Sequence, residues 1–483
     1  MKVTEITKLS DLKQHMPHLK TVREELRDNL IRLLGEKNDL FTNIKGYSDT
    51  VIPQIINALI CGHNIIFLGE RGQGKTRLIR DLISFLDEFI PAIAGCPIHD
   101  NPYAPVCTDC KKRVVEEGDS LEIAWIPRDR RLVEKLATSD VSTADLIGEV
   151  DPIRIAQGRT LDDESAIHFG LVPRAHRGIF AINELPDLAE KIQVSLFNIM
   201  EERDLQIKGF PVRLPLDILL VATANPEDYT SRGRIITPLK DRFDTQIKTH
   251  YPLERSTEIE IMDQEARTIA VNGVTVFVPS FIKNILAEIT MQARSSPDIN
   301  QHSGVSCRVT IRSLEALMGN ALCRCLSLNE NRLVPRITDI DATFPTIMGK
   351  LELEYGGQDR NINDVIEDLV RRAIKVVFDE QFTVGELSAI VESFNSGLGA
   401  EVSQFIPSEE YMDGLKNVPG LYDAVQSLVN PEEPAEAASA IEFILEGLHL
   451  SNKLNRDVTD GTRTYNEHQP ESPESSFKEA IKT

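Results

Sequence analysis

Residues 65–82, IIFLGERGQGKTRLIRDL, leave few folds open to a chain that carries them. The apolar run Ile65-Ile66-Phe67-Leu68 predicts a buried strand bounded by glycine. Gly69-Glu70-Arg71-Gly72-Gln73-Gly74-Lys75-Thr76 then fits G-x4-G-K-[ST] at every fixed position, and Leu78, Ile79, Leu82 and Ile83 give the spacing of a following helix. Strand, glycine-rich loop and helix, in that order, are the context in which this motif binds a nucleoside triphosphate. Glycines let backbone N–H groups turn inward around phosphate oxygens, at the positive end of a helix. In that geometry Lys75 reaches the β and γ phosphates and the Thr76 hydroxyl ligates Mg²⁺. ATP and Mg²⁺ are the cofactors this stretch predicts.

Such a loop needs a sheet to carry it. Apolar stretches at 179–182 and 218–222 read as further strands, separated by helical patterns such as 185–202. That alternation predicts a parallel sheet flanked by helices. Residues 205–214, LQIKGFPVRL, alternate around Gly209 and read as a β-hairpin. Gly178-Ile-Phe-Ala-Ile-Asn183-Glu184 places a polar pair at the C-terminal end of a strand, where α/β ligand sites lie. Glu184 is suited to activate an attacking water. Asn183 stands where an aspartate is expected to hold the magnesium shell. An amide still accepts a hydrogen bond from a metal-bound water but brings no negative charge. The expectation is intact nucleotide binding with slower hydrolysis.

Three further stretches extend the pattern: FTNIKGYSDTVIPQIINAL (41–59), DLIGEVDP…HFGLVPRAHRGIFAINELPDL (145–188) and ILLVATANPEDYTSRGRIITPLKDRF (218–243). With the two motifs above, they resemble the AAA+ ATPase subunit of magnesium chelatase and its MoxR-type relatives, over roughly residues 41–350. The resemblance implies that Ile44 and Gly46 lie near the adenine and that Asn225 is the sensor 1 residue orienting water and γ-phosphate. It implies that Asp241 and Arg242 reach the nucleotide of a neighbouring subunit, and that Arg312, in VTIRSLEAL, is the sensor 2 arginine of a helical lid. Asn183 departs from the Asp-Glu usual in the family. An arginine supplied by a second subunit is worth about 10³–10⁵ in rate in well-studied phosphoryl transfer.

The implied fold is an α/β P-loop AAA+ core, a parallel sheet flanked by helices, with a helical lid and an extra C-terminal helical region. The expected segments are an N-terminal helical stretch over 1–40, whose stripe is Leu26, Leu30, Leu33 and Leu34, and a nucleotide-binding core over 41–250. A lid follows over 251–350, then a helical region over 351–452 and a disordered tail over 453–483, which lacks apolar periodicity. The implied function is ATP hydrolysis by a homo-oligomeric, hexameric ring that remodels or activates a partner, typically a von Willebrand factor A-domain protein. A nucleotide-binding switch that hydrolyses little is the alternative Asn183 keeps open. A sigma-factor-dependent transcriptional activator is disfavoured, since neither a GAFTGA loop nor a terminal helix-turn-helix pattern is seen.

Within the core, CPIHDNPYAPVCTDC (96–110) forms an insertion. Cys96-x2-His99 and Cys107-x2-Cys110 are two chelating pairs of the kind that bind structural zinc. Pro97, Pro102 and Pro105 make a helix between them unfavourable. Cys323 and Cys325 lie in an apolar helical pattern and read as core. No apolar run is long enough to span a bilayer and the N-terminus lacks a signal-like apolar segment, so a cytoplasmic protein without a membrane role is expected. Disulfides are not expected in that compartment. The net charge of −22 disfavours nonspecific nucleic-acid binding. Residues 401–483 carry sixteen Asp and Glu against six Lys and Arg. A solvated acidic tail is the simpler reading of that surplus, a partner-binding end the other.

Overall fold

The computed structural model describes residues 3–37, 40–150, 167–202, 204–206, 213–225, 234–267, 269, 271, 273–301, 303–354, 361–383 and 385–468. The chain divides into two units, Met1–His250 and Tyr251–Thr483.

The first unit is built on a five-stranded sheet of β1 (Ile65–Leu68), β2 (Leu132–Leu136), β3 (Gly178–Asn183), β4 (Ile218–Ala224) and β5 (Thr245–Lys248), in the order β5-β1-β4-β3-β2. All four pairings are parallel. The three central strands, β1, β4 and β3, are largely apolar because helices cover both faces, whereas the edge strands β2 (LVEKL) and β5 (TQIK) carry charged and polar residues. Side chains alternate between those faces. Ile65, Phe67, Ile179, Ala181 and Val221 pack with Leu26 and Leu30 of the Val22–Gly35 helix and with Ile55 and Leu59 of the Val51–Cys61 helix. Ile66, Phe180, Ile182 and Ala222 pack on the other side with Leu185, Leu196 and the Leu9–His15 helix. Thr21 caps the Val22–Gly35 helix, its hydroxyl accepting from the Glu24 N–H. The expected stripe on that helix is narrower than four residues: Leu33 is half-buried and Leu34 is 40% exposed. Buried Glu25 fixes this helix to the sheet through a two-pronged pair with Arg131, both N–O distances being 2.6 Å. The hairpin expected at 205–214 is present as Asp204–Gln206 paired antiparallel with Arg213–Pro215; its Gly209 lies outside the described residues.

The second unit is mainly helical, with long helices at Ser280–Ser295, Arg308–Ser327, Ile362–Gln381 and Pro434–Leu450. Phe443 stacks on Phe281 at 4.5 Å between centroids and meets Phe378 edge-on at 5.9 Å. Of the two cysteines expected in its core, Cys325 is buried but Cys323 is exposed.

Two expectations are corrected here. Residues expected to be a disordered tail form a hairpin, Leu454–Thr459 with Thr462–Glu467, and Ala400–Ser403 adds a third strand. Its turn is Asp460-Gly461, both at positive φ, the dipeptide that suits a tight hairpin. The strands lack visible alternation because the sheet buries only a few anchors, chiefly Leu454 and Tyr465. Residues 469–483 lie outside the described residues. The acidic surplus is also not simply a solvated tail. Glu436, Glu442 and Glu446 are buried on the Pro434–Leu450 helix. Glu436 pairs with Arg332, Glu442 accepts from the Tyr411 hydroxyl at 2.8 Å, and Glu446 binds Arg456 and Tyr465 at 2.5 Å each.

Candidate functional site

Parallel strands bring their C-terminal ends to one edge, and the polar motif residues gather there. The loop after β1 turns on Gly72 and Gly74, at φ 77° and 73°, a conformation that suits glycine. At Gly69 a Cβ would fall 1.9 Å from Thr249 Oγ1 and 2.2 Å from Gln73 Oε1. The Gln73 carboxamide closes the loop from inside, its Oε1 accepting from the Glu70 N–H at 3.1 Å and the Thr249 hydroxyl at 2.6 Å. Glu70 is half-buried and Arg71 exposed on the loop's outer side. Lys75 opens the Lys75–Asp81 helix, and its buried ammonium donates to the Gly69 carbonyl, to the Glu70 carbonyl at 2.9 Å and to Asn225 Oδ1 at 2.5 Å. Asn225, just past β4, also donates from Nδ2 to Glu184 Oε2 at 2.9 Å.

Glu184 follows β3 in the left-handed region, at φ 57°. For a non-glycine residue this costs on the order of 1–3 kcal/mol and is concentrated at functional sites. Its N–H donates to Thr223 Oγ1 at 3.0 Å, which holds the turn. Beside it, Asn183 Oδ1 accepts from the Thr76 hydroxyl at 3.3 Å. Asn183 Nδ2 donates to Glu134 Oε1 at 2.6 Å, and Glu134 Oε2 accepts from Arg80 Nε at 3.0 Å. Glu134 was not singled out by sequence. It sits mid-strand in LVEKL with no motif around it, and only the β2–β3 pairing reveals it, setting Glu134 opposite Ala181 and Leu136 opposite Asn183. A carboxylate therefore stands directly behind the amide that replaces the expected aspartate.

Ile44 is buried in the core under the loop, and Gly46 takes φ 79°. The hydroxyl of the following Tyr47 lies 2.7 Å from both the Gln73 and His250 carbonyls, its one proton shared between them, tying this segment to the back of the loop. Asp241 is exposed at the end of the Thr237–Asp241 helix, and the Arg242 guanidinium lies 5.6 Å from the Phe197 ring centroid. Arg242 lines a cavity of about 380 Å³ with Gly62, His63 and Asn64, which precede β1. It is therefore at the opposite end of the sheet from its own loop, a separation of about 13 Å for a four-residue strand. Arg312 belongs to the second unit, at the start of the Arg308–Ser327 helix, where it pairs with Glu315 at 2.5 Å.

The cysteine cluster is assembled, with one change. Cys96, Cys107 and Cys110 converge, but the fourth group is Asp100, not His99. His99 has φ 56° and its ring is outside the cluster. Spacing alone favoured histidine because Cys-x2-His suits a chelating pair; the left-handed turn at His99 presents its successor instead. Hydrogen bonds from Cys107 and Cys110 push the Cys96 thiol down, and the same contacts push Cys107 up.

Residues 120–243 match the family model described as AAA domain (dynein-related subfamily). The 67 kDa subunit of magnesium chelatase from Heliobacterium mobile is 29% identical over 42% of this chain and 29% of its own length. The 38 kDa subunit from Acidiphilium rubrum is 28% identical over 46% of this chain and 61% of its own. The chain carries an AAA domain and resembles subunits of magnesium chelatase. The chelatase subunit ChlI of Nostoc sp. is 27% identical over 47% of this chain and 58% of its own. This chain thus spans less than two thirds of the length of each of these relatives. Its loop fits MgATP on its own chemistry, with left-handed glycines, a buried lysine and a threonine hydroxyl set against Asn183. Among the described residues, no helix is long and apolar enough to cross a membrane.

Proposed function

We propose that this chain hydrolyses ATP to ADP and phosphate as a homo-oligomeric, hexameric ring in the cytoplasm, and uses the cycle to remodel or activate a partner protein of the von Willebrand factor A-domain type. The observation that supports it is the meeting of Lys75, Asn225 and Glu184 in one hydrogen-bonded chain at the ends of three strands. Lys75 is the group for the β and γ phosphates of the substrate. Glu184 is the base for the attacking water, and Asn225 orients its carboxylate. Mg²⁺, when bound, neutralises phosphate charge, and Thr76 with Asn183 are the residues to hold it, with Glu134 behind. Arg242 faces away from its own loop, which suits a role on the neighbouring subunit's substrate, where charge develops on the transferred phosphoryl group. Arg312 keeps the sensor 2 role that the family resemblance assigns to it. Zinc at the cysteine cluster has no part in this chemistry.

Asn183 favours a second reading, a switch that binds ATP and cleaves it slowly. Phosphate release measured against protein concentration separates the two. The ring reading expects specific activity to rise as subunits assemble. Absence of turnover at any concentration, with and without a partner protein, leaves only the switch.

A further inference from the structure

We propose that Cys96, Asp100, Cys107 and Cys110 form a structural zinc site that pins residues 94–122 to the core. The three sulfurs and a carboxylate oxygen lie within 4.8 Å of one another. Tetrahedral zinc with Zn–S near 2.3 Å needs sulfurs about 3.8 Å apart, so small side-chain shifts close the site. The backbone around two of the three sulfurs is already arranged as in a metal knuckle. The Cys110 N–H donates to Cys107 Sγ at 3.4 Å, with Cys107 capping the Thr108–Glu117 helix. The N–H groups of Ile98 and Asp100 point at the Cys96 sulfur. The left-handed turn at His99 sets up that geometry and delivers Asp100 to the cluster.

Asp100 is 0% exposed, and its carboxylate accepts N–H groups from Asn101, Val106 and Cys107, each at 2.9 Å. The Val106 N–H is shared between both oxygens, so three donors face about four acceptor positions and one remains for a metal. A second observation points to the same atom. His176 is buried at 4% exposure, and its Nδ1 accepts from the Asp217 N–H at 3.0 Å, which leaves the proton on Nε2. That Nε2 has no hydrogen-bond partner and faces Asp100 Oδ1 at 3.8 Å. Metal-binding groups are regularly oriented by such a second layer of donors. Buried Arg177 places positive charge near Asp100, which offsets part of the excess of three thiolates and a carboxylate over one dication. Thiolate-rich tetrahedral sets select zinc over magnesium or calcium.

The segment needs such a staple. Between the paired strands Phe89–Ile93 and Ile123–Pro127, its buried aliphatic anchors are Ile98 and Leu121. The Tyr103 hydroxyl reaches the Met16 carbonyl at 2.6 Å and Trp125 Nε1 the Ile6 carbonyl at 2.8 Å, so the site also fixes the N-terminal helix. None of its four ligands belongs to the nucleotide site, and the inference holds whether or not the chain hydrolyses ATP.

Elemental analysis of protein purified without chelator should find about one zinc per chain. Chelator-stripped protein titrated with Co²⁺ should develop the intense visible absorption of a tetrahedral thiolate site, at one equivalent. His99→Ala should retain zinc, whereas Cys110→Ser and Asp100→Ala should lose it, with metal affinity down by about tenfold or more. Stripping should expose the 96–110 segment to protease while ATP still binds. Wild-type protein that takes up neither zinc nor Co²⁺ at stoichiometric concentrations overturns the proposal. So does a His99→Ala variant that loses zinc while Asp100→Ala keeps it. If a variant fails to fold, the wild-type zinc content and Co²⁺ spectrum still decide.

Discussion

Lys75 and Arg336 are both buried cations, 6% and 0% exposed, yet their surroundings differ in kind. Lys75 is held by carbonyls of its own loop and by Asn225, at the open edge of the sheet beside Gly74, where a Cβ would meet empty space. Arg336 is enclosed. It donates to the Ile406 carbonyl and the Ser408 hydroxyl, lies 3.5 Å from Glu330 and 3.9 Å from Glu442, and covers the Tyr411 ring at 4.9 Å. Nearby, Arg324 is bound by Asp339 at 2.9 Å. Burial of charge alone therefore marks neither function nor structure. A cation held by replaceable loop contacts at strand ends can receive a ligand, whereas one matched by acids inside a helical core specifies packing.

The largest effects should divide along that line. Lys75→Ala removes the charge that meets two phosphates. With hydrogen bonds to charged groups worth about 1.5–3 kcal/mol each, ATP affinity should fall about 10²-fold or more by calorimetry, with the denaturation midpoint little changed. Asp339→Ala leaves Arg324 buried without its main acid and should cost about 3–5 kcal/mol of stability, read from chemical denaturation. A Lys75 variant that mainly unfolds, or an Asp339 variant as stable as wild type, breaks the comparison.

Next comes Glu184→Gln, which removes the proposed base but keeps the side chain's shape. ATP should remain bound while hydrolysis drops by about 10²–10⁴-fold in single-turnover assays. Unchanged cleavage would show that another group activates the water.

The smallest effects lie at Asn183. From sequence, Asn183→Asp restores a missing charge and should raise hydrolysis or leave it unchanged. The structure sharpens this, because Glu134 is 2.6 Å from the Asn183 amide. Two carboxylates there repel unless Mg²⁺ lies between them, so Asn183→Asp should help only at high Mg²⁺. Glu134→Gln combined with it should relieve the repulsion. The pair should show non-additivity of about 0.5–3 kcal/mol in a double-mutant cycle on Mg²⁺ dependence, and simple additivity would remove Glu134 from the account.

Legibility followed the length of the local signal. The loop from Gly69 to Thr76 was readable because glycines, lysine and threonine sit at fixed offsets in one short stretch, and the strand ending at Asn183 because four apolar residues precede two polar ones. Glu134 was hidden because its importance arises from pairing with a strand about 45 residues away, and spacing carries no trace of that. Asp100 was hidden by a single backbone angle at His99. The Leu454–Glu467 hairpin was missed because a sheet with few buried positions shows little alternation, and the Asp460-Gly461 turn was its one local cue. The acidic residues of the Pro434–Leu450 helix looked solvated because their partners lie outside the helix: Arg332 about a hundred residues before Glu436, Tyr411 ahead of Glu442, and Arg456 in the hairpin that follows Glu446.

The central claim is that one subunit's Glu184 works with another's Arg242. Arg242→Ala and Glu184→Gln proteins should each bind ATP and each be nearly inactive alone. Mixed in equal amounts at concentrations where rings form, some interfaces would join an intact Glu184 pocket to an intact Arg242. Phosphate release should then recover to a substantial fraction of wild type, growing with total protein concentration. Mixtures no more active than the separate variants, while wild-type protein turns over under the same conditions, would contradict a site shared between subunits.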